Sequence, residues 1–152
     1  MNRFHPGTAI KGEYMKRNLT PAAAVVKSGS RSRTPIAAAV AVRGWRLAFM
    51  PHPNIQQALP RMDLPPHVEA LPYAGEDVQA LHARCALLVT DYSSLAFNVA
   101  YLDRPVVYYQ FDRDEIEDGR HVGRRGYFEY ERDGFGPVAL DHEAVVAAIV
   151  AS

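Results

Sequence analysis

The chain has a single cysteine, Cys85, in 152 residues. That excludes an internal disulfide and any cysteine-based zinc site, and it fits a reducing compartment. No apolar run approaches the ~18–20 residues that span a bilayer. One apolar run, residues 36–42 (IAAAVAV), has the composition of a signal-peptide core, but it lies too far from Met1 and runs into Arg43. Neither G-x-G-x-x-G nor G-x-x-x-x-G-K-[ST] occurs, so the dinucleotide and P-loop readings lose support. Acidic residues are almost missing from the first 46 positions. Nine Lys or Arg stand there against one acid, Glu13, for a net of +8, while residues 47–152 carry −8 and the whole chain sums to zero.

With 48% hydrophobic residues the chain can bury a core, and its length suits one domain with a tail. A basic head on an acidic body is either a contact for an anionic surface, such as phospholipid head groups, or a solvated arm. The segment 21–42 is rich in Ala, Ser and Arg, and small polar runs seldom pack a core. Residues 1–44 are therefore expected to be a basic, poorly ordered segment, and regular structure is expected over 45–152.

The most informative stretch is residues 86–102, ALLVTDYSSLAFNVAYL. A short apolar run ends at Asp91-Tyr92-Ser93-Ser94, after which Leu95, Val99 and Leu102 recur at helical spacing. This predicts a strand, a polar turn and an amphipathic helix. The first N–H groups of a helix lack internal partners and carry partial positive charge. With two serine hydroxyls beside them, they suit a phosphate or diphosphate. The same residues are also ordinary helix caps.

Further strands are expected over 46–50, 68–71 and 105–109, and helices over about 75–84 and 141–150. Alternating strands and helices, with strands that are apolar throughout, predict an α/β fold: a mostly parallel sheet in a three-layer Rossmann-like domain. Ligands of such sheets bind at the carboxyl ends of the strands. Three polar clusters fall there: His52-Pro53-Asn54, Asp91-Tyr92-Ser93-Ser94, and Gln110-Phe111-Asp112.

His52 sits between two prolines, which stiffen it, and its imidazole could donate to a phosphate oxygen or exchange a proton. Residues 119–126 set three arginines and His121 among three glycines. Arginine binds phosphate bidentately and glycine permits close backbone approach, so this stretch is either a donor-side loop or a solvated hairpin. The aromatic segment 127–137 (YFEYERDGFGP) either covers a ligand or fills core around irregular chain. The acids Asp112, Asp114, Glu115, Glu117 and Asp118 read as a solvated face, with a divalent-ion site as the alternative.

The order HPN, TDYSSLAFNVAYLDRPVVYYQFD and HVGRRGYFEYERDGFGPV closely resembles the C-terminal region of the CDP-glycerol glycerophosphotransferases, the wall teichoic acid primases and polymerases. The likeness runs from about Trp45 to Ser152. It implies the C-terminal half of a two-domain GT-B-like fold. It further implies a transferase moving glycerol phosphate from CDP-glycerol to a lipid-linked polyol-phosphate acceptor, without a cofactor, a metal ligand set or nucleic acid. The expected setting is the cytoplasmic face of the cell membrane, held peripherally. Carried over, His52 would act at the donor phosphates, Ser93 and Ser94 would hold the diphosphate, and Asp91 would shape the turn. His121 and Arg124 would bind on the donor side. Asn98 stands where the family commonly has an acid.

The family's other half carries a histidine, the expected general base, in a His-Gly motif. Only Phe4-His5-Pro6-Gly7 resembles it, fewer than fifty residues before His52. The resemblance thus implies a truncated chain, inactive alone, to be completed by a separate N-terminal half or a second copy. The alternatives are a non-catalytic CDP-glycerol-binding remnant and the donor half of another GT-B nucleotide-sugar transferase.

Overall fold

The computed structural model describes residues 25–26, 33–65, 67–74, 77–114 and 127–152. In chain order these form β1 (Val25–Val26), α1 (Arg33–Val42), β2 (Leu47–Phe49), a 3₁₀ segment (Pro53–Arg61), β3 (Val68–Ala70) and α2 (Val78–Arg84). They continue with β4 (Leu88–Thr90), α3 (Leu95–Tyr101), β5 (Val106–Tyr109), α4 (Tyr130–Asp133), β6 (Val138–Ala139) and α5 (His142–Ala151). The strands build one sheet in the order β3-β2-β1-β4-β5-β6. Every pairing is parallel, including Val26 against both Phe49 and Val89. This is the doubly wound order, with its reversal point between β1 and β4.

Alternation along the strands sends side chains to two cores. Leu47, Phe49, Leu87, Val89, Val107 and Tyr109 face α1 and α5, meeting Ile36, Val40, Val145 and Ile149. Ala48, Met50, Leu88, Val106 and Tyr108 face α2 and α3, meeting Leu81, Ala96 and Val99. Helices on both faces complete the expected three layers. The 3₁₀ segment packs Leu59 on the α1 side; Pro60 inside it lacks the N–H that an α-helical bond would need. The turn from α3 into β5 runs through Asp103 at φ 54, a left-handed conformation that Asp tolerates better than most residues.

The structure differs from the sequence expectation upstream of residue 45. Helix α1 has Ile36, Ala37, Ala39 and Val40 buried to 6% exposure or less, and β1 lies in the middle of the sheet. Helix α1 belongs to the same core as residues 45–152, and β1 to the same sheet. Alanine's small side chain lets α1 sit close to the sheet, so few large apolar residues are needed to bury it. The IAAAVAV run is thus a covering helix of the sheet. Among the described residues, no helix is long and apolar enough to cross a membrane.

His82 of α2 is 2% exposed, and its Nε2 has no partner among the described residues. Burial lowers its pKa from the ordinary 6.5. The unfolded chain therefore takes up this proton first as pH falls. The stability from neutral His82 is complete above about pH 6.5 and is lost as pH drops below it towards the folded pKa. The urea midpoint should fall between about pH 7 and pH 5. In His82→Leu that slope should flatten, and an unchanged slope would assign the pH dependence to other groups.

Candidate functional site

Because all six strands run the same way, their carboxyl ends share one edge of the sheet. His52 follows β2 at that edge and caps the 3₁₀ segment. Its Nδ1 accepts a hydrogen bond from the Asn54 N–H at 3.2 Å. In the neutral ring this places the proton on Nε2, leaving that atom a donor on an exposed side chain. Gln56 anchors the segment. Its Nε2 donates to the Pro51 carbonyl at 2.6 Å, and its Oε1 accepts from the Tyr73 N–H at 3.0 Å. The loops after β2 and β3 are thereby tied together.

The Asp91-Tyr92-Ser93-Ser94 turn follows β4, next to the reversal point. Strand β1 lies between β2 and β4, so the His52 loop and this turn are two strand spacings apart, roughly 10 Å. Helix α3 starts at Leu95, with Ser94 as its cap residue. The Ser93 hydroxyl accepts from the Leu95 N–H at 3.3 Å, and Ala96 N and Phe97 N donate to the Ser93 and Ser94 carbonyls at 3.3 and 3.1 Å. The first amides of α3 are therefore engaged within the turn. Ser94 caps nothing with its side chain and is exposed, so its hydroxyl is the one presented at the edge.

Tyr92 donates its hydroxyl to Asp112 Oδ1 at 3.3 Å, joining the turn to the loop after β5. Burial and then the Asp112 charge push the Tyr92 hydroxyl pKa up, so it stays protonated and keeps donating. Tyr130 of α4 sets its ring edge-on to Tyr92 at 5.7 Å and to Tyr108 at 4.9 Å. Phe97, Phe128 and Phe135 pack against one another beside it. Phe128 and Tyr130 thus pack on α3 and β5, while Tyr127 is exposed. Gly134 serves that packing: a Cβ on it would lie 2.1 Å from the Tyr130 carbonyl oxygen. An ion pair of Arg113 with Glu131 closes the far side and holds the Glu131 carboxyl pKa down.

The structure brings His52, Asp91, Ser93 and Ser94 to one edge of the sheet. His121, Arg124 and His5 lie outside the described residues. Asp112 serves Tyr92, and among the described residues no group of three or more His, Cys, Asp or Glu gathers as a metal site would. Sequence reasoning missed the Tyr92–Asp112 link and the role of Tyr130. The signal for the link was that Tyr92 and Asp112 each follow, by two or three residues, the ends of the neighbouring strands β4 and β5.

The profile of the CDP-Glycerol:Poly(glycerophosphate) glycerophosphotransferase family matches residues 43–152. This chain belongs to the CDP-glycerol glycerophosphotransferase family. Among its family relatives, the minor teichoic acid biosynthesis protein GgaB of Bacillus subtilis (strain 168) is 31% identical over 106 residues, 70% of this chain and 11% of the relative. A teichoic acid poly(glycerol phosphate) polymerase of the same strain is 38% identical over 76 residues, 50% of this chain and 10% of the polymerase. A teichoic acid glycerol-phosphate transferase of Staphylococcus aureus (strain NCTC 8325 / PS 47) is 34% identical over 74 residues, 49% of this chain and 18% of the transferase. The fold also matches a family structure, a variant of the wall teichoic acid polymerase TagF soaked with CDPG. The TM-score is 0.65 at 19% identity, over 92% of this chain and 36% of that one. The chain therefore spans about a tenth to a third of the glycerophosphotransferases it matches.

Proposed function

We propose that this chain is the donor-binding half of a CDP-glycerol glycerophosphotransferase. The observation that carries the reading is the family match over residues 43–152, whose HPN and DYSS segments flank the reversal point of a doubly wound sheet. On this reading the Ser94 hydroxyl and the His52 Nε2–H donate to the diphosphate oxygens, Ser93 braces the turn, and Asp91 shapes it. His121 and Arg124 add donor-side contacts. An acceptor hydroxyl oxygen attacks the β-phosphorus of CDP-glycerol, and the bond from that phosphorus to the bridging oxygen breaks. CMP leaves with the electron pair, and the hydroxyl proton passes to a base on the acceptor side. The protein contributes mainly alignment and charge stabilisation.

The acceptor is a lipid-linked polyol phosphate of the teichoic acid type, which places the reaction in cell-wall synthesis. The protein would act peripherally at the cytoplasmic face of the membrane. The described residues supply the donor half, and the acceptor half lies outside them. Titration calorimetry with CDP-glycerol and with a UDP-sugar tests the donor reading. CDP-glycerol should bind and the UDP-sugar should bind more weakly; equal affinity would point to a different GT-B transferase. Ser94→Ala should lose about 1.5–3 kcal/mol of CDP-glycerol affinity with an unchanged melting temperature. Ser93→Ala should also lose stability, by about 1 kcal/mol, because its hydroxyl braces the first turn of α3. Equal behaviour of the two variants would contradict this division of roles.

A further inference from the structure

Two polar side chains at the carboxyl edge have no part in the site as described. Thr90 ends β4 and is fully buried, and Gln110 follows β5 at 2% exposure. Among the described residues, neither Thr90 Oγ1 nor Gln110 Nε2 has a hydrogen-bond partner. Buried polar groups are nearly always paired, so two orphans side by side require a reason.

Their placement supplies one. Thr90 lies opposite Tyr108 in the β4–β5 register, and Gln110 is two residues past Tyr108. Alternation therefore puts both on the face shared by Leu88 and Tyr108. That face is covered by α3 through Ala96 and Val99. Helix α3 begins at the carboxyl edge, so its first turn and residues 91–94 lie over Thr90 and Gln110. The rest of this core, Leu88, Val106 and Tyr108 among others, is apolar or aromatic. These two orphans lie where the turn meets the sheet. The turn itself is held by local bonds of 3.1 to 3.3 Å, at the long end of the range.

We propose that Thr90 and Gln110 are positioning residues of the donor site, gaining hydrogen bonds when the 91–94 turn closes on the donor diphosphate. This rests on the donor reading above. In the free chain both groups are a cost to stability, and closure of the turn removes it, so the gain appears as affinity. Apolar replacements of similar shape should then separate stability from binding, because removing an orphan together with its polarity is neutral or stabilising.

The test is CDP-glycerol titration of the full chain, with melting temperature measured alongside. Thr90→Val and Gln110→Met should melt at or above the wild-type temperature and bind CDP-glycerol about tenfold more weakly each. Thr90→Ser keeps the hydroxyl and should bind within about twofold of wild type. Wild-type affinity in the Val and Met variants would overturn the proposal and leave the donor reading intact. Lower melting temperature together with lost affinity would also overturn it, in favour of a purely structural role. A wild-type chain that does not bind CDP-glycerol would overturn both readings.

Discussion

Given CDP-glycerol and a lipid-linked acceptor, these 152 residues alone should release CMP at least about 10²–10⁴-fold more slowly than a relative with both halves. The described residues form one doubly wound sheet, and the chain covers 36% of the TagF chain it resembles. Nothing in that sheet faces His52 and Ser94 from the acceptor side. A general base contributes about two to four orders of magnitude, and orienting two reactants contributes more. On the proposed reading, with neither in place, the donor would lie in an open half-cleft with bulk water beside its β-phosphorus. Water there is unoriented, so hydrolysis should be slow as well. Adding an acceptor half from a relative should raise CMP release. Full turnover without it would show that a second copy, or the basic first 24 residues, rebuilds the missing wall.

Gly136→Ala should cost about 2–3 kcal/mol of stability and lower the melting temperature by roughly 10 °C. A Cβ at this position would lie 1.8 Å from the Val106 carbonyl oxygen and 2.9 Å from its carbon. Both are backbone atoms at the start of β5, so no rotamer change relieves the clash. The chain around Gly136 must move away from β5. One residue later the Pro137 carbonyl accepts the Tyr108 N–H at 2.9 Å, and β6 then pairs Tyr108 with Val138. Displacing Gly136 therefore strains the β5–β6 edge and, through it, the seat of α5. An unchanged melting temperature would mean that the 134–136 segment reseats freely. The contact with the Val106 backbone assigns Gly136 to packing.

What could be read in advance follows from side-chain size. Residues 87–90 announce β4 because four apolar or β-branched residues stand together, and the polar turn after them marks the helix start. Strand β1 is two residues long in a run of small and polar neighbours, and no periodicity emerges from two residues. Helix α1 hides for another reason. Alanine buries well but carries little hydrophobic signal, so a buried Ala-rich helix reads like a spacer. The 3₁₀ segment and β6 are masked by prolines, which usually signal loops. At the site, the serine turn and His52 were visible because polar residues interrupt apolar runs there. Gln110 was visible in the polar cluster after β5, but its role and that of Tyr130 were not: both depend on which strand lies beside which, and only the three-dimensional order of the sheet supplies that.

The family match starts at residue 43, after the last residue of α1. Val25–Val26 joins the two halves of the sheet, since β2 and β4 each pair with it and not with each other. A gene boundary drawn at the start of the family match would leave β3-β2 on one side and β4-β5-β6 on the other, with a gap at their shared midline. The ligand edge spans that midline, with His52 on one bank and Ser94 on the other. The distance between these two residues is therefore kept by a pair of valines that family recognition alone would discard as leader.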